Sequence, residues 1–168
     1  MKVYQPGEYV VYAENGLCLV EQVGVPDFAA GNTQTRYYFL RASDDGSRIY
    51  VPTDTHMPLR APLTAQEAEE LLQRLGDLPV RLPERRDRKT VLAHYQKLLR
   101  PHTAESLAQT VKSIRYQHRG SPGRMSGAEE TLLKRSERHL CGELAGALSI
   151  SAEDARVRME AALVHGAE

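Results

Sequence analysis

Several routes to a function are closed by what this sequence does not contain. It has only two cysteines, Cys18 and Cys141, and they stand far apart. Neither a disulfide framework nor a cysteine metal site is available, and buried free thiols in a reducing cytoplasm are expected. The six histidines, at 56, 94, 102, 118, 139 and 165, follow no ligand spacing, and the approach of His139 to Cys141 is an isolated coincidence. No apolar run approaches the ~20 residues of a membrane span, and no basic-plus-apolar leader follows Met1. A soluble, cytoplasmic chain without a membrane partner is expected. No Ser/His/Asp order, Gly-rich phosphate loop or convergent carboxylate pair is present, so neither an enzyme nor a cofactor nor a metal is expected. An enzyme with a dispersed site would need a deep pocket of perturbed titratable groups.

Net charge is absent too. Lys plus Arg and Asp plus Glu are 22 each, so the total says nothing about partners. The distribution says more. Residues 81–140 carry 14 basic and 6 acidic side chains, whereas 1–60 carry 5 and 7. A neutral chain with one strongly positive segment is polarised, and that segment is a candidate footprint for a polyanion.

What is present begins with a β module. Tyr9-Val10-Val11-Tyr12 and Leu17-Cys18-Leu19-Val20-Glu21-Gln22-Val23 flank Ala13-Glu14-Asn15-Gly16. The Asn-Gly pair marks a hairpin, because both residues tolerate the positive φ of a tight turn. Pro26 to Gln34 reads as a loop turning at Gly31-Asn32. Thr35 to Arg41 reads as a third strand, Asp44-Asp45-Gly46 as a second hairpin turn, and Arg48 to Val51 as a fourth strand stopped by Pro52. Four or five such short strands predict a small Tudor/SH3-like β-barrel with exposed edges open to strand addition.

The remainder has helical periodicity. Thr64-Ala65-Gln66-Glu67 is a capping box ahead of Ala68, Leu71, Leu72 and Leu75, and Gly76 closes that helix. Residues 78–87 read as a linker. Helices follow over Arg88–Arg100, closed by Pro101, and over Thr103–Arg119, ended by Gly120-Ser121-Pro122-Gly123. A long one opens at the capping box Ser126–Glu129, and a last one is capped by Ser151. The fold class is therefore α+β: a β domain over 1–60, then an all-α domain of about five helices over 61–168.

Gly7-Glu8-Tyr9-Val10-Val11-Tyr12, Asn15-Gly16-Leu17 and Tyr50-Val51-Pro52 resemble the N-terminal module of the CarD-like bacterial transcription regulators, which also occurs in transcription-repair coupling factors. Met125 to Glu130 and Leu140 to Ala145 resemble the helical part of that family. The resemblance implies a non-enzymatic regulator whose β domain pairs strand to strand with the RNA polymerase β subunit. Residues Arg36 to Arg41 match the docking strand, with Arg48 to Pro52 beside it. The implied contacts are Arg36, Tyr37, Tyr38, Phe39, Arg41, Arg48, Tyr50 and Pro52. It further implies that the helical domain leans on promoter DNA at the edge of the melted bubble, where the family wedges a Trp into the minor groove. Tryptophan is missing here, and Arg86-Asp87 stands near the wedge position. Glu130 replaces a basic position of the long helix, and Pro26 and Tyr50 replace basic positions of the β module. A protein-only module without DNA contact is thus the alternative.

The cations on which DNA contact would rest form three groups. Arg85, Arg86, Arg88 and Lys89 stand at a linker–helix junction, where several could reach phosphates together. A solvated charged helix start is the competing reading, although cations at a helix N-terminus oppose its dipole by about 0.3–1 kcal/mol each. Lys112, Arg115 and Arg119 form a stripe away from Leu107, Val111 and Ile114. Lys134, Arg135 and Arg138 form a smaller cluster, of which Lys134 and Arg138 are candidate contacts. A monomer is expected.

Overall fold

Gly16 is the residue on which the N-terminal sheet turns. A computed structural model describes residues 2–29, 34–54, 56 and 59–165. In it Gly16 has φ +71° and faces Tyr12 across the ladder, while the Asn15 N–H donates to the Tyr12 carbonyl at 3.0 Å. Only the glycine takes positive φ, so the turn needs Gly16 for its conformation, while the bond at position 15 is a backbone one. The turn expected at Gly31-Asn32 lies outside the described residues.

The chain divides into two units, Met1–Pro62 and Leu63–Glu168. The first holds five strands: β1 (Tyr9–Tyr12), β2 (Gly16–Gly24), β3 (Tyr37–Ala42), β4 (Arg48–Pro52) and β5 (Leu59–Arg60). They form one antiparallel sheet in the order β4-β3-β2-β1-β5. The sheet is curled rather than closed, so the Tudor-like expectation holds and β4 and β5 remain as edges. Alternation buries Val10, Cys18, Val20, Tyr38, Leu40, Ala42 and Val51 on the concave face, each apolar side chain contributing about 1–3 kcal/mol by leaving water. A register shift between Val20 and Gln22 inserts Glu21 as a bulge, which sets its carboxylate beside Arg41.

The second unit contains α1 (Ala65–Arg74), α2 (Arg88–Leu98), α3 (Ala104–Gln117), α4 (Gly127–Leu148) and α5 (Ala152–His165). Both expected capping boxes form, Thr64 with Glu67 and Ser126 with Glu129. Ser151 caps α5 by accepting from Asp154 N–H at 3.0 Å. The stripe Ala68, Leu71, Leu72 and Leu75 packs with Leu140, Leu144, Ala155 and Met159 into one core. A second core joins Val91 and Tyr95 of α2 to Ile114 of α3 and Leu132 of α4. The long helix α4 thus serves one core with each half. Ser149, at φ +54°, ends it in the left-handed conformation.

The expected linker is in part a strap. Lys112 Nζ donates to the Gly76 carbonyl and, at 2.7 Å, to that of Leu78. Gln109 holds the Pro79 carbonyl at 3.0 Å, and the Arg81 N–H donates to Ser113 Oγ at 2.9 Å. Residues 76–81 are therefore laid along α3 by its own side chains.

Candidate interaction surfaces

On the sheet, β4 exposes both backbone and rings. The Ala42 N–H donates to Ser47 O and the Thr53 N–H to Arg36 O, both at 2.9 Å. In an antiparallel ladder bonded and non-bonded pairs alternate, so those two ends fix the phase between them. Tyr38↔Val51 and Leu40↔Ile49 are the bonded pairs; Arg41↔Arg48, Phe39↔Tyr50 and Tyr37↔Pro52 are not. The N–H and C=O groups of Arg48 and Tyr50 consequently point away from the sheet, ready for another strand.

The convex face of the same two strands carries an aromatic cluster. Phe28, on the short turn Asp27–Ala29, meets Tyr37 edge-on at 5.6 Å and Tyr50 at 5.2 Å. Phe39 meets Tyr50 at 5.0 Å. Phe28 is 66% exposed and Tyr50 41%, so these rings order one another without being covered. Cations frame them. Arg36 Nη2 donates to the Val23 carbonyl at 3.3 Å, and Arg41 pairs with Glu21 and also donates to the Gly46 carbonyl at 3.2 Å. Arg48 stands directly opposite Arg41, a like-charge pair that Glu21 relieves. The hydrogen bond from Arg41 holds the Glu21 carboxyl below its ordinary range. Exposed aromatics with arginines are the composition of an interface centre.

Two expectations on this surface are corrected by the geometry. β3 cannot accept a partner strand, because β2 and β4 already occupy both of its sides. Tyr38 is a core residue, 3% exposed, with its ring 6.0 Å from Tyr4 and its hydroxyl accepting from the Tyr4 N–H at 3.3 Å. Alternation places Tyr37, Phe39 and Arg41 on the opposite face. Phe28 was not among the expected contacts; it lies in a loop, where no periodicity marks it.

In the helical unit the basic groups separate into bound and unbound. Arg85, Arg86, Arg88 and Lys89 are exposed, and among the described residues no hydrogen bond or ion pair holds their side chains. Asp87 caps the helix they flank, accepting from Thr90 N–H at 2.9 Å. That hydrogen bond depresses the Asp87 carboxyl, so a carboxylate at the N-cap counters the unfavourable dipole term of the neighbouring cations.

The stripe on α3 is not a continuous exposed surface. Lys112 points into the strap. Arg115 bonds Glu137 of α4 at 2.9 Å and Glu160 of α5 at 2.7 Å, tying three helices together. Its hydrogen bonds, that to Glu160 first, raise its pKa further against the opposing effect of burial. Arg119 alone of the three is exposed, lying 3.6 Å over the Tyr116 ring. On α4, Lys134 makes a surface pair with Glu130 at 2.8 Å. Arg138 is exposed as well, and it is not without a partner.

His118 and Glu129 make a further pair, 2.8 Å apart, beside the second core. Burial opposes the Glu129 charge, but the bonds from His118 and Ser126 outweigh it and keep the carboxyl low. Nearby, burial and then the Glu129 charge push the Tyr95 hydroxyl up, and that hydroxyl donates to Gln117. The contacts describe a bond network that fixes the α3–α4 turn. No helix among the described residues is long and apolar enough to cross a membrane.

A small curled sheet with an open edge, ringed by exposed aromatics and arginines, defines a protein-interaction module of the Tudor-like class. Its family is that of the CarD-like/TRCF RID domain, whose model matches residues 4–60. The N-terminal unit is thus an RNA polymerase-interacting module. The match stops short of the helical unit, and comparison with curated proteins gives no match to the chain.

Proposed function

We propose that the chain is a non-enzymatic transcription regulator that docks on the β subunit of bacterial RNA polymerase and contacts promoter DNA through its helical unit. The observation that carries the docking is the outward-facing backbone of β4 beside the Phe28, Tyr37, Phe39 and Tyr50 rings, within the segment that matches the RID domain. Arg36, Arg41, Arg48 and Pro52 frame the contact, and the arginines favour an acidic partner strand. Backbone pairing supplies affinity and the rings supply specificity.

The DNA contact falls to Arg85, Arg86, Arg88 and Lys89, helped by Arg119, Lys134 and Arg138. The first four are exposed and, among the described residues, no hydrogen bond or ion pair holds their side chains, which leaves them available to phosphates, contacts that read no sequence. Gripping open DNA better than closed shifts the opening equilibrium only by that difference in affinity. Without tryptophan the chain has no indole to unstack a base step, and the contact made by the linker-junction cations is electrostatic.

The internal bonds of Lys112 and Arg115 favour a second reading, a protein-only module. Titrating the full chain against the isolated polymerase β-subunit lobe, and separately against duplex DNA at several salt concentrations, tests both parts. Lobe binding with no DNA binding would reduce the function to the protein-only module. Failure to bind the lobe would sink the docking proposal.

A further inference from the structure

We infer that the groove between α2 and α3 is a binding site for a small phosphorylated molecule. It is an open groove of about 560 Å³ with an apolar floor that includes Leu98 and Pro101, and Arg81, His94, Lys97 and Gln109 stand among the polar residues that line it. That volume falls within the range of roughly 300–1,000 Å³ typical of small-molecule sites. Duplex DNA needs an extended face instead, and this groove is a concavity within one helical hairpin.

The charge of the lining selects an anion. Its one carboxylate, Glu105, is already paired with Arg74 at 2.6 Å. The Arg81 guanidinium and the Lys97 ammonium have no partner among the described residues. Two uncompensated cations facing one concavity suit a group of more than one negative charge. A planar guanidinium and a point-charge ammonium lining one groove are donors of the kinds that phosphate recognition uses.

The wall is also built in advance. Arg81 is held at both of its backbone groups, its N–H by Ser113 at 2.9 Å and its carbonyl by His94 Nε2 at 2.8 Å. Gln109 fixes the Pro79 carbonyl two residues earlier. His94 is itself stacked edge-on against Tyr95, 5.0 Å away and fully buried. A ligand therefore orders little beyond the Arg81 and Lys97 side chains, which keeps the entropic cost of binding low.

The test needs neither polymerase nor DNA, so it stands apart from the proposed function. Pyrophosphate and ATP are titrated into the full chain by calorimetry at low salt. One-to-one binding is expected, weakened about tenfold or more by Arg81→Ala and by Lys97→Ala, the loss of a charge-assisted contact. The double variant Arg85→Ala/Arg86→Ala should bind as the wild type does. All of these positions are exposed, so unchanged thermal midpoints will show that the variants fold. Tighter binding of ATP makes the ligand class nucleotides, and tighter binding of pyrophosphate makes it small polyphosphates. Binding of neither probe overturns the inference. So does binding that survives Lys97→Ala but is lost with Arg85 and Arg86, which would mean loose adsorption to the linker cations.

Discussion

Arg115 of α3 and Glu160 of α5 face each other fork to fork, with two N–H···O bonds of 2.7 Å each. The same guanidinium reaches Glu137 of α4, so one side chain holds the last helix to the two before it. Arg115→Ala would remove the guanidinium that Glu137 and Glu160 share. Breaking a fully buried pair costs about 3–5 kcal/mol; here Arg115 is 31% and Glu160 41% exposed, and screening by solvent lowers the expected loss to about 1–3 kcal/mol. Urea unfolding will measure it, and a loss below about 0.5 kcal/mol would reject the clamp.

The clamp also sets a pH dependence. The bond from Arg115 depresses the Glu160 carboxyl by more than burial raises it. A depressed carboxyl stabilises the native state fully above its unfolded pKa, and that contribution is lost as pH falls through the lower native value. Wild type and Glu160→Gln should therefore converge in acid and separate as pH rises through the ordinary carboxylate range. Parallel stability curves across that range would show that the pair carries no pH-linked stability.

Tyr38 and Phe28 separate core from contact. Tyr38→Phe removes a hydroxyl that accepts one backbone N–H and should cost about 0.5–1.5 kcal/mol, with polymerase-lobe affinity unchanged. Phe28→Ala removes an exposed ring and should leave stability nearly unaltered while weakening lobe binding about tenfold or more, the loss expected of an anchor residue. If Tyr38→Phe weakened binding and Phe28→Ala did not, the contact face would be the concave one.

The contrast shows which parts of the fold were legible in the residues themselves. Thr64 with Glu67 and Ser126 with Glu129 are local chemistry, and both boxes form as expected. The two-residue strand β5 is set by pairing with Tyr12 and Val11, far away in sequence, and has too few residues to show a period. Helical spacing put Lys112 and Arg115 on the face away from Leu107, Val111 and Ile114. It could not show that the strap and α5 cover that face. The β3–β4 hairpin was legible from Asp44-Asp45-Gly46, with Gly46 at φ +73°, but which of its strands is the edge follows from sheet order.

The salt dependence of DNA binding distinguishes free from bound cations. Each phosphate contact on duplex DNA contributes about −0.9 to the slope of log affinity against log salt. Changing Arg85, Arg86, Arg88 and Lys89 together to Ala should flatten that slope by up to about 3–4 and lower affinity evenly across sequences. Lys112→Met should leave the slope unchanged, because Lys112 Nζ is bonded to the Gly76 and Leu78 carbonyls. An unaltered slope in the fourfold variant would reject the linker junction as the DNA contact.

The edge itself can be tested at Tyr50. By the phase of the β3–β4 ladder its N–H points away from the sheet, so proline there removes no ladder bond. Tyr50→Ala deletes the ring alone, whereas Tyr50→Pro deletes the ring and also the donor offered to a partner strand. Both should keep the sheet, seen in circular dichroism. Ile49→Pro should disrupt it, since Ile49 belongs to a bonded pair with Leu40. If the polymerase lobe adds a strand to β4, Tyr50→Pro will bind about tenfold or more weakly than Tyr50→Ala, the penalty for leaving a carbonyl of the partner strand unbonded. Equal affinities for the two variants would mean that the lobe meets the aromatic face and not the edge, and docking would then rest on Phe28 and its neighbouring rings.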